Sequence, residues 1–468
     1  RQLTESAMPT DDPRFEPSWS PDGESIAYVS NAADYWEDDV YRVDVETGDV
    51  QRLTWALMAS STPRWSPSGD RIALMGTAKS GFWYQDLSNI WMVDPETPRS
   101  ERILEMQVWA SDQAMRNDLI WSGDGERIFF PYLERGEFDL WAVAADGGVA
   151  TRVTNLGGDM GSFDAPASAA AVYFVREGPK HGDDLYRVRA AGGPAVRLTS
   201  VAPAWQDLQV PREISYRSFD GLYIQGFLYT PPEVEDGRAC PALVEVHGGG
   251  TNSYTLGQNL TEQYLASRGF VVYAINYRGG SGFGRSFQDL AVEDWLNRQA
   301  KDPGAAADWL RELPITTDRV GIYGGSYGGM QSMAAITRTP DKFDAAVPMR
   351  GIFSEAKTFY DQDRLGKIFA RTGHGGLPEE RPEIYEKTET LARFDRIEVP
   401  VLIMHGEADV RAPFKNHRLA VEKLRELGKD FEEKSYEGQG HGFSDVDARI
   451  DMYNRLRDFM SEHLGGCR

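Results

Sequence analysis

Apolar and polar positions alternate in short runs through residues 18–199, and the runs recur. Ser25-Ile26-Ala27-Tyr28, Arg71-Ile72-Ala73-Leu74 and Arg127-Ile128-Phe129-Phe130 each follow a Trp-Ser turn: Trp19-Ser20-Pro21-Asp22-Gly23, Trp65-Ser66-Pro67-Ser68-Gly69 and Trp121-Ser122-Gly123-Asp124-Gly125. These Trp residues are 46 and 56 positions apart. A fourth copy carries Ala165 in place of the Trp, ahead of Ala171-Val172-Tyr173-Phe174. Each copy runs on into a second strand, beginning at Asp39, Asn89, Asp139 and Asp184. Three copies end on Arg52-Leu53-Thr54, Arg152-Val153-Thr154 and Arg197-Leu198-Thr199. Short alternating strands repeating every ~40–55 residues predict four-stranded β-propeller blades. The opening Arg1-Gln2-Leu3-Thr4 reads as the closing strand of an earlier blade. The expectation is therefore a chain that begins inside a longer protein, with a four-bladed ring as the alternative.

The pattern changes near Val201-Ala202-Pro203-Ala204. Glu213 to Phe219 and Tyr223 to Thr230 read as a hairpin turned at Asp220-Gly221. Strands and helices then alternate, which predicts an α/β sheet. The expected organisation is about four recognisable blades in residues 1–203 and an α/β-hydrolase domain in residues 204–468.

Candidate chemistry lies in the second part. The apolar run Arg319-Val320-Gly321-Ile322-Tyr323 leads through Gly324-Gly325-Ser326-Tyr327-Gly328-Gly329 into the helix-like Met330 to Ile336. Strand, tight glycine turn with Ser at its apex, then helix is the pattern of a nucleophile elbow. Candidate partners follow in chain order. Val401-Leu402-Ile403-Met404 reads as a strand running into His405-Gly406-Glu407-Ala408-Asp409, and Phe431 to Tyr436 as another ending near Gly440-His441-Gly442. Serine needs a base to become a nucleophile, and a carboxylate fixes the tautomer of that base. Ser326, His441 and Asp409 are the expected set, with Glu407 and Asp445 as rivals for the carboxylate. The amide of Tyr327 and one from His247-Gly248-Gly249-Gly250, after the apolar Leu243 to Val246, would form an oxyanion hole. The other histidines read as structural or surface residues.

Composition narrows the classes. The net charge of −22 argues against nucleic acid or an anionic membrane as partner. Two Cys in 468 residues make no disulfide framework, and no zinc-ligand spacing occurs. No apolar run approaches the ~20 residues of a membrane span. Neither metal nor cofactor is expected. The expected location is cytoplasmic, although a signal peptide is not readable at a start that looks internal. A homo-oligomer stays open.

The chain as a whole resembles the prolyl oligopeptidase family of serine peptidases. The resemblance rests on the Ser326 elbow, the His-Gly-Glu-Ala-Asp409 and Gly-His441-Gly-Phe motifs, Asn276-Tyr277-Arg278-Gly279 leading to Gly282-Phe283-Gly284, and blades ahead of a hydrolase domain. His247-Gly248-Gly249 is similar to the oxyanion loop of the acylaminoacyl-peptidase branch, which implies Gly249 as the second oxyanion donor. Arg411 matches a family arginine that binds a substrate carbonyl. The resemblance implies a peptidase for short peptides, with blades covering the carboxyl end of the hydrolase sheet. A small-molecule esterase or amidase and a non-enzymatic propeller scaffold are the alternatives. No convincing Glu pair for capturing a free amino terminus occurs in the blades. The acidic Trp36-Glu37-Asp38-Asp39 reads as a solvated loop.

Overall fold

The computed structural model describes residues 3–4, 17–55, 57–59, 61–78, 88–108, 119–166, 170–201, 207–292 and 294–468. The expected boundary residues Ala202, Pro203 and Ala204, and Arg1-Gln2 of the expected opening strand, lie outside them. The chain divides into two compact units. One is Arg1–Gln206 with the short segments Thr255–Gln258 and Ser281–Arg285, and the other is the remainder, beginning at Asp207.

In the first unit the described strands form four antiparallel sheets, one per sequence repeat. The first contains Ser18–Trp19, Ser25–Ser30, Asp39–Asp44 and Val50–Arg52. The second has five strands, because Arg64–Trp65 and Leu57–Ala59 both pair with Ile72–Ala78; Ser88–Val93 and Ser100–Val108 complete it. The third runs from Ile120–Trp121 to Thr151–Arg152, and the fourth from Asp159–Asp164 to Val196–Arg197.

The two-residue period explains how these sheets pack. Ile128 and Phe130 share an apolar cluster with Ala73, Met75 and Ile90 of the second sheet. Phe129, between them, points the other way and joins Val172, Phe174 and Val188 of the fourth. Ile72 and Leu74 likewise face Ala27 and Val40 of the first sheet. The second and third sheets therefore bury both faces against their sequence neighbours. The Trp of each of these two repeats also reaches back by one sheet. Trp65 Nε1 donates to Ser18 O at 3.0 Å, and Trp121 Nε1 to Arg64 O at 3.0 Å.

The recurring Asp, Arg and Thr form a polar clip inside three of the sheets. Asp39 accepts from Arg52 at 2.6 Å and from Thr54 Oγ1 at 3.0 Å, while Thr54 Oγ1 accepts from the Val40 amide at 3.0 Å. The same bonds join Asp139 to Arg152 and Thr154, and Asp184 to Arg197 and Thr199. This corrects the solvated reading of Trp36–Asp39. Asp39 is fully buried because its carboxylate is the acceptor that the closing-strand Arg and Thr require.

The second unit is built on an eight-stranded sheet. Its strands are β1 (Arg212–Arg217), β2 (Tyr223–Tyr229), β3 (Cys240–Val246), β4 (Val271–Asn276), β5 (Thr316–Gly325), β6 (Ala345–Met349), β7 (Val401–Gly406) and β8 (Phe431–Tyr436). Their order is β1-β2-β4-β3-β5-β6-β7-β8, with antiparallel pairing at β1-β2 and β2-β4 and parallel pairing from β4 onward. The central strands are apolar without alternation because both of their faces are covered. Every residue of β3, β4, β6 and β7 is buried. Among the covering helices are α1 (Leu260–Ala266), α2 (Asp302–Arg311), α3 (Tyr327–Arg338), α4 (Arg364–His374), α5 (Lys415–Glu426) and α6 (Val446–Leu464). No helix among the described residues is long and apolar enough to cross a membrane.

The two cysteines carry no local signal in the sequence, being 227 positions apart, yet they are bonded to each other. Cys240 opens β3 and Cys467 follows α6, and the chain segments beside them are also paired by Ala239 N to Arg468 O at 3.0 Å and Arg468 N to Ala239 O at 2.8 Å. The sheet brings together what the linear spacing separated.

Candidate active site

Four loops at the carboxyl ends of β3, β5, β7 and β8 carry the residues singled out in the sequence. Ser326 sits between β5 and α3 with φ +59° and ψ −124°. A non-glycine residue rarely adopts this conformation, and it persists only where its surroundings enforce it. The flanking glycines show what does so. A Cβ on Gly328 would lie 2.1 Å from Val246 O, and one on Gly329 would lie 2.3 Å from Met349 O. The turn is therefore wedged between β3 and β6, where only glycine fits. The Ser326 amide donates to Met349 O at 3.0 Å, fixing the apex.

His441, in the loop after β8, places Nε2 2.7 Å from Ser326 Oγ and Nδ1 2.7 Å from Asp409 Oδ2. Asp409 follows β7 and is buried. Its Oδ1 accepts the amides of Arg411 at 2.9 Å and Ala412 at 2.8 Å. Burial alone would raise this carboxyl. The hydrogen bonds from His405, His441 and Ala412 more than offset it and hold the group well below the usual carboxylate range. His441 is held below its ordinary value, chiefly by burial, with the charges of Arg350 and Arg411 adding to this and Asp409 opposing it. The rival carboxylates lie elsewhere: Glu407 accepts from Ser435 Oγ at 2.6 Å, and Asp445 caps α6 through the Ala448 amide.

The loop after β3 rests against the elbow. A Cβ on Gly248 would lie 3.1 Å from Gly325 O and 3.3 Å from Ser326 Cβ. Gly249 follows with φ +76°. Tyr327, as the first residue of α3, has an amide with no acceptor in its own helix. His247 shapes the glycine loop. Its ring is buried, stacks on Tyr277 at 4.1 Å and bonds Gly248 O at 2.9 Å, and burial pushes it down to about 4. His405 is fully buried and donates from Nε2 to Ala412 O at 2.8 Å, bracing the Asp409 loop.

Arg411 lies two residues beyond Asp409. Its Nε contacts both oxygens of Asp363, at 2.7 and 2.8 Å, and Asp363 also caps α4. The sequence reading gave no role to Arg350, whose guanidinium lies against Gly325 beside the nucleophile.

Residues 257–467, which hold Ser326, Asp409 and His441, match the sequence profile of the prolyl oligopeptidase family. Similarity extends beyond that span. Dipeptidyl-peptidase 5 of Porphyromonas gingivalis is 24% identical over 91% of this chain and 63% of its own length. The acylamino-acid-releasing enzyme of Homo sapiens is 24% identical over 91% of this chain and 62% of its own length. The chain thus spans less than two thirds of these curated relatives. Among solved structures, a puromycin-hydrolysing peptidase of Mycobacterium tuberculosis superposes with a TM-score of 0.78 at 22% identity, over 100% of this chain and 71% of the other. This last likeness is one of fold, and it covers the whole of this chain.

Proposed function

We propose that this chain is a serine peptidase that hydrolyses short peptides through an acyl-enzyme, of the acylaminoacyl-peptidase type. The observation that carries the reading is the pair of 2.7 Å contacts joining Ser326, His441 and Asp409 across three loops. Ser326 Oγ attacks the peptide carbonyl while His441 Nε2 takes its proton. Asp409 holds the Nδ1 proton and stabilises the imidazolium. The amides of Tyr327 and Gly249 receive the developing oxyanion. His441 then protonates the departing amine. Water, deprotonated by the same imidazole, attacks the ester carbon, and Ser326 recovers its proton as the acyl group leaves.

Arg411, fixed beside this loop by Asp363, is assigned to the substrate's acyl carbonyl. The four sheets of the first unit are read as successive propeller blades, and residues 1–203 and 204–468 as the two domains. The faces shared between consecutive sheets and the Trp latches between them support the blade reading.

A panel of chromogenic substrates tests the activity: acetylated amino-acid anilides, free-amino dipeptidyl anilides, internally blocked peptides and simple esters. Cleavage of acylated amino-acid anilides is the expected result. Turnover of simple esters with no cleavage of any anilide or peptide would overturn the peptidase reading.

A further inference from the structure

Arg350 is the residue that the proposed mechanism leaves unused. It directly follows β6, and its amide donates to Met404 O of β7 at 2.8 Å. Its φ is +43°, a strained value for a long side chain. The residue before it, Met349, supplies the carbonyl that fixes the Ser326 amide. The guanidinium lies across the elbow, where a Cβ on Gly325 would be 3.0 Å from Nη2 and 3.1 Å from Nε. Nε is buried without a hydrogen-bond partner, and among the described residues no carboxylate forms an ion pair with this side chain. A buried donor without a partner and a strained backbone both cost stability, and both stand beside the nucleophile.

The charged and titratable groups acting on His441 come from three elements. Asp409 and Arg411 lie in the loop after β7, Ser326 in the elbow and Arg350 at the end of β6. Tyr453 of α6 and the Asp409 carboxylate act on Arg350 in turn. Arg411 is paired with Asp363, so its charge is locally neutralised. Arg350 is not neutralised in this way.

We propose that Arg350 is an electrostatic positioning residue. Its cation disfavours the imidazolium form of His441 in the resting enzyme and keeps the base ready for the Ser326 proton below neutral pH. The same field favours delivery of that proton to the departing amine. Arg350 touches neither substrate nor the transferred proton in this scheme, and it acts through His441 alone. The inference rests on the serine peptidase reading.

The test is the pH dependence of Ser326 labelling by a fluorophosphonate, which reports the protonation of His441 without requiring a known peptide substrate. Removing the charge with Arg350→Met should move the acidic limb to higher pH by about one unit, the effect of a like charge close to an imidazole. Arg350→Lys should keep the limb near its wild-type position. If Arg350→Met does not fold, Arg350→Gln carries the same test, with thermal unfolding as the check on folding. A folded neutral variant with an unmoved limb would overturn the proposal. So would a limb that moves as far in Arg350→Lys as in the neutral variant. Wild-type protein that is not labelled at Ser326 would strike the serine peptidase reading instead.

Discussion

Gly248 and Ser326 stand so close that a Cβ on the glycine would lie 3.3 Å from the serine Cβ. The oxyanion loop and the nucleophile elbow are therefore one packed unit, although 78 positions separate the two residues in sequence. Gly248→Ala must push the loop away by a few tenths of an ångström and with it the Gly249 amide. Turnover should fall roughly tenfold or more, because small displacements of preorganised donors are costly in rate. Thermal unfolding, measured alongside kcat, should change little by comparison.

The burial of His441 sets the pH profile. The neutral imidazole is the working base, so activity is present above its pKa and is lost as pH falls through it. Burial holds that pKa below the ordinary value. The acidic limb of kcat/KM should therefore lie below the reference of about 6.5 rather than at it. A limb above that reference, measured with a small amide substrate, would contradict the geometry of the partly buried ring.

The bond between Cys240 and Cys467 closes a loop of 227 positions at the end of β3 remote from the elbow. On the chain-entropy model such a closure stabilises by up to about 5 kcal/mol. Incubation with dithiothreitol, or the variant Cys467→Ala, should lower the unfolding temperature by more than about 5 °C. The rate at 25 °C should stay close to that of the oxidised protein. An unchanged unfolding temperature after complete reduction would show that the two backbone bonds between Ala239 and Arg468 hold these segments without help.

In the first unit, Asp139→Ala removes the acceptor shared by Arg152 and Thr154. Arg152 remains partly exposed and finds water, so the loss should be nearer 1–3 kcal/mol than the larger cost of breaking a fully buried pair. Limited proteolysis should then cut within residues 120–200 at a rate above wild type. Peptides from the second unit should appear no faster.

What could be read in the sequence was local. The Ser326 elbow announces itself through glycines within a few positions, and Gly324, Gly328 and Gly329 are each required by a backbone oxygen of a neighbouring strand. Asp409 and His441 follow strand ends and were legible for that reason. The repeats were legible because each sheet is built from one contiguous stretch. Non-local features were hidden. Nothing near Cys240 points to Cys467, and nothing near Arg350 points to Gly325. The burial of Asp39 was missed because its acidic neighbours look solvated. The signal that could have exposed it was the repeated Arg-x-Thr ending, which recurs with an Asp thirteen positions earlier in three of the repeats. The segments Thr255–Gln258 and Ser281–Arg285 belong to the first unit although they lie within the second in sequence. A linear boundary does not express this.

Ser326, activated by His441 and Asp409, is the proposed nucleophile. Mass spectrometry after reaction with a fluorophosphonate, run in parallel on wild type and Ser326→Ala, tests it most directly. The expected result is a single adduct on the wild-type peptide that carries Ser326, none on the variant, and peptidase turnover lower in the variant by several orders of magnitude. An adduct on a different residue, or a Ser326→Ala protein that keeps roughly a tenth or more of the activity, would contradict it.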